Sequence, residues 1–72
     1  MKRATELLVG EQTQIEKLAE VPVALKLLEL GLVPHALITL IRKAPLGCPL
    51  YFSVDGNFLA LRQNEAEHIF CA

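Results

Sequence analysis

The chain has 72 residues, 53% of them hydrophobic and 21% charged, with a net charge of −1. That length makes one domain, residues 1–72, which hides only about 60% of its unfolded surface on folding, and the composition excludes a disordered chain. Seven Lys and Arg interspersed with eight Asp and Glu give neither a basic stripe for a phosphate backbone nor an acidic block, so nucleic acid is not expected as a direct partner.

Cys48 and Cys71 have no metal-type or redox-type spacing and are too few for the framework of a secreted mini-protein. A reducing cytoplasm is the expected setting. Met1-Lys2-Arg3 is basic, but Ala4 to Gln14 is interrupted by Glu6, Gly10 and Glu11 and lacks the apolar core of a signal peptide. The longest charge-free stretches, Leu30 to Ile41 and Ala44 to Val54, fall well short of the roughly 20 residues that cross a bilayer, and each holds a proline. A membrane is expected to be reached only through a partner.

In chain order, Ala4 to Val9 reads as a turn or irregular lead-in anchored by Leu7, Leu8 and Val9 ahead of Gly10. Glu11 to Ala19 has the two-residue period of a half-exposed strand, with Thr13, Ile15 and Lys17 inward and Gln12, Gln14 and Glu16 outward. Pro22 suits a first helical turn because its missing N–H would be unpaired there, and Glu20 sits near the positive end of the helix dipole. The helix, about 22–30, carries only Lys26 and Glu29 as charges, more apolar surface than one packing face hides. Gly31, where a left-handed C-cap is needed, and Pro34 beyond it stop the helix.

Ala36 to Lys43 has aliphatic side chains on both faces, Ala36, Ile38 and Leu40 against Leu37, Thr39 and Ile41, as in a central strand. Leu50, Phe52 and Val54 alternate with Tyr51, Ser53 and Asp55, and Asp55-Gly56 is a hairpin turn leading into Phe58 to Arg62. Gln63 to Glu67 reads as one helical turn and His68 to Cys71 as a closing strand with Ile69 in the core. Cys71 is read as core packing; Arg62, Glu65 and Glu67 as solvated surface; Tyr51 as a half-buried aromatic of the kind that also anchors interfaces. The fold class is mainly β: about five short strands, one short helix and a helical turn near 63–67. So small a chain cannot safely leave two open sheet edges, which favours a closed or nearly closed SH3-like barrel.

The segments Leu27-Leu-Glu-Leu-Gly-Leu-Val-Pro34 and Ala44-Pro-Leu-Gly-Cys-Pro-Leu50, then Leu59-Ala-Leu-Arg62 followed by Glu65-Ala66 and Ile69, resemble the FeoA family of ferrous iron transport proteins, in order along the chain. The resemblance implies a cytoplasmic SH3-like barrel that assists the membrane transporter FeoB, which has a GTPase domain at its cytoplasmic end. It implies no catalytic residue. The residues agree, since neither a phosphate-binding loop nor a paired nucleophile and base is present, and no cofactor is expected.

The helix carries the leading functional expectation. At 100° per residue, Ala24, Leu25 and Leu28 share one side with Leu32, while Val23, Leu27 and Leu30 occupy another, and only one stripe can face the barrel. Leu27 and Leu30, with Leu32 and Val33 in the following loop, are expected to line a hydrophobic groove for a partner segment. In the competing reading, loops or the amino-terminal segment cover that stripe. Self-association is open, because an apolar helix is buried as readily against a copy as against a partner.

Two departures from the family pattern define the alternative. His35 stands where the family typically has Gly, and Cys48 where it often has Asp. Direct binding of ferrous or another transition metal, as carrier or sensor, would use both across an oligomer interface. The strand between them, about 3.3 Å per residue, holds them roughly 25 Å apart, and two ligands of different softness are too few for a site in one chain. A third reading comes from similar SH3-like domains at the carboxyl end of iron-dependent repressors, but within these 72 residues no DNA-binding helix-turn-helix is expected ahead of the domain.

Overall fold

A computed structural model describes residues 2–19 and 23–72. Among them are six strands, β1 (Lys2–Arg3), β2 (Gln12–Leu18), β3 (Leu37–Lys43), β4 (Leu50–Val54), β5 (Asn57–Leu61) and β6 (Ile69–Cys71). They form one antiparallel sheet in the order β1-β6-β2-β3-β4-β5. Helix α1 (Val23–Glu29), the short helix α2 (Gln63–Ala66) and a 3-10 turn (Ala4–Glu6) complete the elements. The expectation of about five strands misses β1, because two exposed cations carry no alternation by which a strand is read. Glu20 and Pro22 lie outside the described residues.

The sheet curls because β2 serves two neighbours in turn. Gln12 to Gln14 pair with β3, whereas Ile15 to Leu18 pair with β6 across a bulge between Ile15 and Lys17. A bulge adds a residue on one side only, bending the strand and reversing which side chains face in. Ile15 is therefore inward and Lys17 outward, contrary to the simple alternation, and Leu18 takes the inward place against the core. The Lys17 ammonium lies 5.5 Å from the centre of the Phe70 ring on the outer face.

Strand β3 is central, between β2 and β4, and sends Ile38 and Leu40 inward as its pattern requires, with Ala36 buried just before it. Asp55 and Gly56 both have positive φ, 49° and 86°, the twist that matches a two-residue hairpin turn to right-twisted strands. The turn closes with Val54 opposite Asn57, so β5 begins one residue before Phe58. Asp55 also ties the hairpin to β3: its N–H donates to the Leu37 carbonyl (2.9 Å) and its carboxylate accepts from the Leu37 N–H (3.0 Å).

Phe52, Ile15, Ile38, Leu40, Leu61 and Ile69 form the centre of the core, closed at one side by Leu7 and Ala4 and at another by Leu27 and Leu32. Of the three lead-in anchors expected, only Leu7 is buried; Leu8 and Val9 are largely exposed, because the chain turns at Val9-Gly10 to enter β2.

Candidate partner-docking surface

The end of α1 decides which leucines are on offer. Gly31 has φ 91°, its N–H donates to the Leu28 carbonyl (3.0 Å), and the Leu32 N–H donates to the Leu27 carbonyl (3.0 Å). These are the two bonds of a Schellman cap, in which the residue after the glycine folds back against the residue five positions before itself. Leu27 and Leu32 are accordingly both fully buried in the core. The stripe expected to receive a partner is thus corrected: Leu27 and Leu32 hold the helix to the barrel. Leu30 and Val33 do remain open, 44% and 40% exposed, and Leu25 and Leu28 on the opposite flank join them at 69% and 43%.

Lys26 sets the attitude of this surface. Its ammonium donates to Glu65 Oε2 at 2.6 Å, while Glu65 Oε1 accepts from the Arg62 N–H at 2.9 Å, closing the first turn of α2. The bond from Lys26 first, and that from the Arg62 backbone second, hold the Glu65 carboxyl below its usual range. Glu65 is therefore a buried joint between α1 and α2, not the solvated charge its surroundings in sequence imply; Arg62 and Glu67 are exposed. The signal available was the position of Glu65 three residues after Arg62, where a helix N-terminus recruits an acceptor.

His35 and Cys48 are both exposed, in turns at either end of β3. Among the described residues no group of three or more His, Cys, Asp or Glu is placed to hold a metal ion. His35 has φ 75°, a left-handed conformation that glycine adopts freely and histidine does not, and its N–H donates to the Ile15 carbonyl at 2.7 Å. Cys71 is packed in the core as expected, and burial pushes its thiol up to about 11.

A second apolar surface lies on the outer face of β3, β4 and β5. Ile41, Arg42, Tyr51, Phe58 and Ala60 line an open groove of about 370 Å³, with the Arg42 guanidinium 5.1 Å from the centre of the Tyr51 ring. Phe58, 79% exposed, had no role in the sequence reading, although a two-residue turn at Asp55-Gly56 already sets it opposite the outward Ser53.

Together the curled six-stranded sheet and its single buried core describe a small SH3-like barrel with an apolar helix end presented at its surface. The chain belongs to the FeoA family: the FeoA domain matches residues 2–72. Its structure is similar to the FeoA protein from Chlorobium tepidum, at 35% identity and a TM-score of 0.87 over 97% of this chain and 68% of that one. It is also similar to FeoA of Stenotrophomonas maltophilia, solved with zinc and described as a prokaryotic SH3 domain protein suggested to activate ferrous iron transport. That match has 26% identity and a TM-score of 0.87 over 100% of this chain and 91% of that one. A manganese-dependent transcriptional repressor shares the fold alone, at 8% identity and a TM-score of 0.89 over 99% of this chain and 40% of the repressor. Comparison with curated proteins gave no match. No helix among the described residues is long and apolar enough to cross a membrane.

Proposed function

We propose that this chain is a noncatalytic cytoplasmic accessory protein that binds the cytoplasmic portion of a FeoB-like transporter and supports ferrous iron uptake. The observation that carries the reading is the helix end, where Leu25, Leu28, Leu30 and Val33 stay exposed while Leu27 and Leu32 fix the element that bears them. Large apolar side chains kept in water on a pinned helix are the pattern of a docking surface. Membership of the FeoA family supports iron transport as the process served. Direct metal binding by His35 and Cys48 is the weaker reading, since both are exposed and no third ligand stands with either among the described residues.

The test is capture of the transporter's cytoplasmic portion by the purified protein, with and without guanine nucleotide. The double variant Leu25→Glu, Leu28→Glu is expected to keep its circular dichroism spectrum and to lose capture by tenfold or more. Capture unaffected by that variant, or absent from the parent under both nucleotide conditions, rejects the reading. Leu27→Gln is no test, because it places an amide in the core and is expected to unfold the protein.

A further inference from the structure

Strand β5 ends the sheet, paired with β4 on one side only. Among the described residues none of its N–H or C=O groups bonds outside the ladder with β4. Natural edge strands are protected by a charge, a proline, a bulge or a covering element, and Asn57-Phe-Leu-Ala-Leu61 has no charge, no proline and no register shift against β4. Its large aromatic, Phe58, stands in water beside this open edge.

We propose that β5 pairs antiparallel with β5 of a second copy, joining two sheets across a two-fold axis at Leu59. Pairing the whole strand with itself sets Leu59 opposite Leu59 and Phe58 opposite Ala60 of the partner copy, since each residue faces the one whose distance from the centre is equal and opposite. Directly opposed residues share a face of the sheet, so the outward Phe58 ring falls on the outward Ala60 of the other copy. Ala60 is the small residue that leaves the groove beside Tyr51 open, and Phe58 is the large one with nothing over it. The two Phe58 rings lie diagonal to each other across the axis, within reach of aromatic contact.

Charge complementarity selects the second copy over an unrelated strand. Arg62 follows one end of β5 and Asp55 precedes the other, both exposed. Antiparallel self-pairing brings Arg62 beside the Asp55-Gly56 turn of the other copy, twice by symmetry. Arg62 makes no ion pair among the described residues, and Asp55 uses only Oδ1, toward Leu37. A parallel arrangement would set like charges together. The contact is five residues long, well below the roughly 800 Å² per partner of a standard interface, so the dimer is a weak one.

Sedimentation velocity and cross-linking test this. Between about 20 µM and about 1 mM the mean mass is expected to rise from that of the monomer toward twice it, as befits a contact of this size. Ala60→Lys, which puts a charge on the exposed edge where Phe58 of the other copy would sit, is expected to hold the protein at monomer mass throughout. In a Cys48→Ser background, oxidising an equal mixture of Phe58→Cys and Ala60→Cys chains is expected to give the mixed disulfide in excess of either self-linked dimer, since opposed residues lie about 4.5–5.5 Å apart at Cα. Monomer mass at both concentrations, a dimer that survives Ala60→Lys, or predominance of Phe58→Cys chains linked to themselves would each overturn the proposal. None of these readouts involves the α1 surface, so failure here leaves the transporter reading to its own test.

Discussion

His35 shows how one residue can work against its own backbone. Its φ of 75° is imposed from both sides, by the turn after α1 and by the bond from its N–H to the Ile15 carbonyl. A side chain at such an angle costs about 1–2 kcal/mol, part of which glycine gives back through its freedom in the unfolded chain. His35→Gly is therefore expected to stabilise the protein by about 0.5–1 kcal/mol, and thermal unfolding should show a rise of a few degrees in Tm. A fall in Tm would mean that the imidazole makes a contact worth more than the strain. The same residue marks a limit of reading residues by type: a histidine in a turn draws attention as a ligand, whereas its position is a matter of backbone angle.

At the scale of elements, the helices are held by a joint that is half buried and half wet. Glu65 accepts from the α2 backbone and from Lys26 on α1, and its lowered pKa means the folded protein favours the ionised form more than the unfolded chain does. The stability this supplies is present above the ordinary carboxylate value of 4.5 and is lost as pH falls through the folded value below it. Lys26 is largely exposed, so solvent screening limits the gain to about 0.5–1 kcal/mol. Urea unfolding of Glu65→Gln is expected to show that deficit at neutral pH, shrinking toward zero as the solution is acidified below the ordinary value of 4.5 and through the lower folded value. A deficit independent of pH would assign the effect to packing. The stop at Gly31 was legible in the sequence, as were the helical turn at 63–67 and the Asp55-Gly56 hairpin, because each depends on residues a few positions apart. The pairing of Glu65 with Lys26 was not, since the two are 39 positions apart and meet only once both helices are docked.

For the whole molecule, one small core carries most of the stability. A domain of this size is worth roughly 4–11 kcal/mol in total, and truncating a fully buried phenylalanine costs about 3–5 kcal/mol. Phe52→Ala is expected to leave the protein largely unfolded or with a denaturation midpoint lowered by about a quarter or more, as followed by circular dichroism in urea. A midpoint within a tenth of the parent's would mean that the core collapses around the gap.

Sequence alone determined the class of fold, the central strand, the hairpin and the family, because apolar alternation, Gly and Pro punctuation and turn chemistry act within short windows. It also showed that the helix has too many leucines for one face. Which leucines remain outside was decided by tertiary structure: the cap at Gly31 returns Leu32 to the same side as Leu27, and the barrel claims both. The register of β2 was decided the same way, since the bulge before Lys17 exists only because the strand must pair with β3 and then β6. Local rules say how much apolar surface an element carries; only the packed neighbours determine which part of it is left for a partner.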